Sequence, residues 1–284
     1  MEWIVGENPN DLLFIATKEP IDHGSRHSEK RQSDAKMRLL DLVNKGVEAS
    51  LVQLLETGLL HADPHPGNLR YTSSGHIGYT HLLFFSPFSS LIVIGDLDIH
   101  MVKAHLSPIW TRFLDFGLLC RMERRHQLAM LAAIVHIVNA DWASLVHALT
   151  EMDVGRPGTN IRRFTMDLED ALGEVEYTDG IPDVKFSLVL GKIWSVALKY
   201  HFRMPPYYTL VLRSLASLEG LAIAADPNFK TFEAAYPYVV QKLLTDNSAA
   251  TRGILHLVVF NRQKEFQWRK LALLFRLGAM RYAD

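Results

Sequence analysis

His61-Ala62-Asp63-Pro64-His65-Pro66-Gly67-Asn68 is the stretch on which the reading of this chain turns, together with Leu114-Asp115-Phe116-Gly117 further on. Two prolines and a glycine preclude helix, so the first stretch is a loop. Ahead of it, Met37, Leu40, Val43, Val47, Leu51, Leu54 and Leu55 recur at three- and four-residue steps. That spacing predicts an amphipathic helix from Ala35 to Thr57, ended by Gly58 at its C-cap. Behind the loop, Asn68-Leu69-Arg70-Tyr71 reads as a short strand that turns at Ser73-Ser74-Gly75 into His76-Ile77-Gly78-Tyr79, a hairpin.

Further out, residues 2 to 5 are β-type, and the polar stretch Gly6 to Asp34, rich in Pro, His and Ser, predicts a surface loop. Beyond Gly117 the pattern is almost continuous helix, near 122–139, 141–152, 159–176, 183–202, 205–224, 229–244 and 248–278, the last broken near Asn261. Asp141, Thr159 or Asn160, and Asp183 are predicted N-caps, and Pro205-Pro206 suits a first turn. Trp142, Trp194, Tyr207, Tyr208 and Phe232 are expected to be packing residues. The chain shows no internal repeat.

With 284 residues, 48% of them hydrophobic, the chain is long and apolar enough for a substantial core. A net charge of -1 gives no overall basic field, so nucleic acid is not an expected partner. Two local basic clusters, Arg121/Arg124/Arg125 and Arg262/Lys264/Arg269/Lys270, read as solvated helix faces. The single cysteine, Cys120, rules out an intramolecular disulfide and a cysteine-rich zinc site, and a small buried residue is expected there. Met1 to Gly6 has neither signal-peptide nor transit-peptide character and reads like the middle of a domain. The most apolar window, Leu82 to Ile94, is too short to span a bilayer as a helix, and a membrane-spanning protein is not expected.

Asp63 stands five residues ahead of Asn68, and Asp115 opens an Asp-Phe-Gly loop. Phosphoryl transfer asks little covalent help of a protein; it needs alignment and charge neutralisation, supplied by magnesium held between carboxylate and amide oxygens. By that template Asp63 orients or deprotonates the acceptor, while Asn68 and Asp115 hold the metal from two neighbouring loops. A competing reading makes His61, Asp63 and His65 ligands of a transition metal in a hydrolase, but no second His/Asp cluster with clear spacing appears among the 13 histidines.

The Ala-Asp-Pro-His-Pro-Gly-Asn run, with Leu114-Asp115-Phe116-Gly117, resembles the signature of the UbiB/ADCK (ABC-one) family of atypical kinase-like proteins. Arg121-Met122-Glu123-Arg124 and Val196 to Leu221 look most like its plant, plastid-type members. The resemblance implies an α+β, mostly α fold: a kinase-like C-lobe core over residues 1–125 and a helical C-terminal region of the same domain over 126–284. It implies ATP and Mg2+ as cofactors, with the backbone of Glu2 and Ile4, in the strand linking the two lobes, meeting the adenine. It also implies a chloroplast setting at plastoglobules or membranes, a role in quinone or prenyl-lipid metabolism, prenyl-lipid or membrane-surface association, and pairing with a full-length kinase-like partner.

Two features depart from the family pattern. The N-terminal lobe with its phosphate-contacting lysine is expected before Glu2, so the chain reads as truncated, with weak or no phosphotransfer on its own. The competing expectation is a non-catalytic binding or regulatory module. The second departure is Thr80 to Arg112, which separates Tyr79 from the metal loop it would otherwise feed and is longer than hairpin connections run. Its abrupt edges inside a motif suggest translated intron or an alternative exon, a hypothesis that sinks if every transcript across Tyr79 and Leu114 contains the segment.

Overall fold

One long helix organises the chain. In the computed structural model, α2 spans Arg26–Val52 and buries Ala35, Leu39, Leu42, Val43, Val47 and Leu51. The structure describes residues 6–18, 26–61, 66–73, 75, 77–79, 112–113, 119–154, 158–173, 177–178, 181–182, 185–202, 206–260 and 263–280. The predicted strand at 2–5, the caps Asp183 and Pro205, and the side chain of Cys120 lie outside them. So does the interrupting segment up to residue 111.

α2 is preceded by α1, Pro9–Thr17, where a surface loop was predicted. The polar His/Ser composition downstream hid a short helix with its own signals. Asn8 is the N-cap and accepts from the Asn10 N–H, Pro9 opens the first turn, and Leu12 is buried against the core. α2 also begins earlier than predicted, and it ends in a π-helical turn, Gln53–Thr57, before Gly58.

Among the described residues seven short strands follow: β1 Leu59–His61, β2 Leu69–Tyr71, β3 Ile77–Tyr79, β4 Arg112–Phe113, β5 Leu119–Arg121, β6 Tyr177–Thr178 and β7 Ile181–Pro182. β1 pairs antiparallel with β5, while β2, β3 and β4 form a small sheet in that order, and β6 pairs with β7. The remaining described elements are helices: α3 Arg124–Val138, α4 Trp142–Glu151, α5 Ile161–Leu172, α6 Phe186–Lys199, α7 Pro206–Ala225, α8 Thr231–Thr245, α9 Ala249–Val259 and α10 Trp268–Met280. Mostly helical with small sheets, the architecture fits a kinase-like domain.

α1, α7 and α8 pack on α2, and α3, α9 and α10 pack around α8, so one hydrophobic core runs from Leu12 to Leu274. Trp142, Tyr208 and Phe232 are buried in it, as packing residues should be. Within α7, Tyr208–Ala225 is long and apolar enough to cross a membrane by length and composition. Here its Tyr208, Leu215, Leu218 and Leu221 are core residues.

Asp141 caps α4 by accepting from the Ser144 N–H, and Asn160 caps α5 by accepting from the Arg163 N–H. α6 is capped differently. Its N-cap residue is Lys185, whose side chain makes no capping bond, and the first N–H groups of the helix point instead at a carboxylate from α7. Glu219, 1% exposed, accepts from Phe186 N at 2.6 Å, Ser187 N at 2.8 Å and the Thr231 hydroxyl at 2.9 Å.

His136, buried in α3, is held below its ordinary value by burial, with His147 adding to the effect and Asp141 opposing it. Such a group takes up its proton more readily in the unfolded chain. Its contribution to stability is therefore complete above about pH 6.5 and is lost as pH falls from there through the lowered folded value. The expected outcome is a fall in melting temperature between pH 7.5 and 5.5 that is smaller in His136→Gln. Parallel curves for the two proteins would contradict it.

Candidate functional site

The loops singled out in the sequence are hung between the two small sheets. α2 ends at the π turn, an arrangement frequent near functional sites, and the chain must then reverse into β1. Gly58 makes that reversal at φ +66°, donating to Gln53 O at 2.8 Å and accepting from Met122 N at 2.7 Å. A β-carbon at Gly58 would lie 1.9 Å from the Gln127 amide nitrogen and 2.8 Å from the Met122 carbonyl oxygen, so no other residue fits. The π turn is also held from outside. Arg124 donates to Leu55 O at 3.2 Å, and Tyr238 of α8 donates to Glu56 at 2.7 Å, with Lys242 at 3.6 Å from the same carboxylate. Burial and that carboxylate both push the Tyr238 phenol upward, so it remains a donor.

Strand register brings the loop ends together. In the first sheet His61 pairs with Leu119, so the chain leaves β1 toward Asp63 at the end where it enters β5 from the Asp-Phe-Gly loop. In the second, Leu69 pairs with Tyr79 and Tyr79 with Phe113. β4 runs parallel to β3, so Phe113 delivers the chain to Leu114 at the level where Tyr79 leaves the sheet. Asn68, directly before β2, and Phe113, the end of β4, therefore lie at the same end of one three-stranded sheet. The segment from Thr80 interrupts the sequence, yet the strand that follows it returns to the side of the strand that precedes it.

The hairpin is clamped from two directions. Tyr71 exchanges both backbone hydrogen bonds with Glu7, at 2.8 and 2.9 Å, which lays the N-terminal segment against β2. Gly6 lies so close there that a β-carbon would sit 2.7 Å from Tyr71 O. Arg38 of α2 holds the Glu7 carboxylate through both oxygens. On the other side the Tyr71 hydroxyl donates to Asp41 at 2.8 Å, and Lys45 pairs with Asp41 while donating to Gly75 O at 2.6 Å in the hairpin turn. Burial first, and then the Asp41 hydrogen bond, push the Tyr71 phenol up to about 12.

Of the predicted site residues, Asn68 lies within the described structure, half-buried at the end of the 3-10 turn Pro66–Asn68 and directly before β2. Asp63, Asp115, Glu2 and Ile4 lie outside the described residues, as do Asp115's neighbours Phe116 and Gly117. Asp63, His65 and the side chain of His61, the alternative metal trio, also lie outside the described residues. The structure adds Gly58, Asp41, Lys45, Tyr71 and Arg124 as supports of the loops. Asp41 and Lys45 form an i,i+4 pair that resembles any solvated helix face, and their tie to a tyrosine thirty residues on leaves no local pattern.

The ABC1 atypical kinase-like domain matches residues 1–149 of this chain. The protein Activity of BC1 Complex Kinase 3, chloroplastic, of Arabidopsis thaliana is 31% identical over 280 residues, 98% of this chain and 32% of the relative. Activity of BC1 Complex Kinase 1, chloroplastic, of the same plant is 31% identical over 278 residues, 98% of this chain and 33% of the relative. An uncharacterized protein of Synechocystis sp. is 32% identical over 235 residues, covering 83% of this chain and 29% of its own length. The chain thus spans about a third of the length of these curated relatives. No solved structure matches it. With the loop motifs, the paired strands that anchor them and this match over more than half its length, the chain belongs to the ABC1 atypical kinase-like family.

Proposed function

We propose that the chain binds magnesium-ATP between its two anchored loops and, by itself, transfers phosphate weakly. The observation that carries this reading is the register: Asn68, directly before β2, and Phe113, the end of β4, lie at one end of the β2–β3–β4 sheet, and His61 and Leu119 share one end of the β1–β5 pair. Asn68 offers an amide oxygen and Asp115 a carboxylate, the hard oxygen donors that magnesium takes. Once bound, the metal would supply charge neutralisation at the phosphates. Asp63 would orient the acceptor and receive its proton, Gly117 would let the backbone turn after Asp115, and the backbone of Glu2 and Ile4, just ahead of the Glu7 clamp, would meet the adenine.

The chain spans about a third of the length of its curated relatives, and kinases hold the phosphates with a strand lysine under a closed lobe that excludes water, so transfer by these residues alone would be weak. A second reading is a non-catalytic module that binds partners or regulates a full-length homologue. The chloroplastic relatives point to a chloroplast setting, and the family resemblance to a substrate in quinone or prenyl-lipid metabolism. The expected result is ATP turnover at least about a hundredfold below the ~1–100 s⁻¹ of kinases, with the residue removed by Asp63→Asn. Turnover within that range would overturn the weak-transfer reading.

A further inference from the structure

The three residues of β2 have different surroundings. Leu69 is fully buried in the core, and Tyr71 is tied to Asp41 of α2. Successive side chains of a strand leave opposite faces of its sheet, so Arg70 projects from the face opposite to Leu69. There its half-buried guanidinium folds back toward the turn that carries Asn68. One nitrogen, Nη1, donates to Gly67 O at 3.2 Å and to Leu69 O at 2.8 Å. These are the carbonyls of the residues on either side of Asn68.

The stem of Arg70 is fixed from another side. A β-carbon on Gly6 would sit 3.1 Å from the Arg70 β-carbon, so the N-terminal segment crosses β2 in contact with it. Arg70 therefore stands between two parts of the proposed nucleotide site. One is the Asn68 turn, and the other is the segment that leads from Glu2 and Ile4 into the Glu7 clamp. The turn itself has little to keep its shape: Pro66 has no N–H to donate, Gly67 has the widest backbone freedom, and 3-10 hydrogen bonds are poorly aligned.

We propose that Arg70 is a positioning residue, which holds Asn68 in the orientation that lets its amide oxygen take magnesium. The inference rests on the magnesium-nucleotide reading above and names the residue that organises one of its metal ligands. A cation that bridges the carbonyl entering Asn68 and the carbonyl of the residue after it holds the backbone at both ends of that residue. The direction of the Asn68 side chain is set with it. Arginine suits the task, because a guanidinium nitrogen presents two N–H bonds in a rigid planar fork. A lysine ammonium carries the same charge on a flexible stem and has no such fork.

The test titrates magnesium into the full chain in the presence of a fluorescent ATP analogue, at a temperature where every variant is folded. Arg70→Met keeps the stem and removes the donors. It is expected to raise the magnesium concentration for half-maximal binding about tenfold to a hundredfold, as the loss of groups that orient metal ligands does. Arg70→Lys should recover only part of that loss. A purely structural role would lower the melting temperature of Arg70→Met and leave its magnesium dependence like that of the parent, which would overturn the proposal. A parent-like magnesium dependence in Arg70→Lys would also overturn it, assigning the effect to charge alone, and this variant decides the matter if Arg70→Met does not fold. No nucleotide binding by the parent chain would overturn this inference together with the reading it rests on, whereas parent binding that both variants leave unchanged would overturn this inference alone.

Discussion

Gly58→Ala is expected to destabilise the protein by about 4 kcal/mol and to lower its melting temperature by roughly 10 °C. Two costs combine. A non-glycine residue at φ +66° loses about 1–2 kcal/mol, and the added carbon meets the Met122 backbone oxygen at 2.8 Å as well as the Gln127 side chain. Gln127 can swing away, but Met122 cannot without releasing its own 2.7 Å bond to Gly58 O, so overpacking adds about 1–3 kcal/mol. That bond ties the entry of β1 to the exit of β5, so the damage falls on the strands that anchor both loops. Gly253→Ala is the control: a β-carbon there meets nothing within 4 Å, and the change should be neutral or slightly stabilising. A Gly58→Ala protein that melts with the parent would refute the role assigned to this turn.

Glu219→Ala is expected to cost about as much, for a different reason. It would leave the Phe186 and Ser187 N–H groups and the Thr231 hydroxyl facing an emptied, buried site. Hydrogen bonds to a charged group contribute about 1.5–3 kcal/mol, and an unsatisfied buried donor costs about 1–3 kcal/mol, so a loss of about 4 kcal/mol is a moderate expectation. Glu219→Gln should lose roughly half, because its amide oxygen still accepts while its NH2 group faces donors. Urea denaturation reads both. A loss below about 1 kcal/mol for the alanine variant would mean that α6 finds another cap.

Glu219 also marks where sequence reading stops. The helix it caps was legible from apolar spacing, and a local cap at Asp183 was the natural expectation. The carboxylate in fact arrives from α7, thirty-three residues beyond Phe186, and no local pattern encodes a bond of that span. α1 was hidden by composition, since nine helical residues beside a His/Ser-rich stretch weigh little in any window. The C-cap at Gly58, the β2–β3 hairpin and the caps at Asp141 and Asn160 were legible because each is decided by a few adjacent residues. The candidate site is an expectation from the chemistry of Asp63, Asn68 and Asp115, of which Asn68 lies among the described residues. Its geometry was not legible, because the parallel return of Arg112–Phe113 beside β3 depends on register rather than on any residue type.

Thermal melting with and without millimolar magnesium-ATP, on the parent chain and on Asp115→Ala, reads out nucleotide binding between the two loops. A ligand that binds the folded state alone stabilises it by about 2.7 kcal/mol at a hundred times its Kd. The expected result is an upward shift in the parent that needs magnesium and disappears in Asp115→Ala, with the unliganded melting temperature unchanged. No shift in the parent, or one that survives the loss of Asp115, would contradict it.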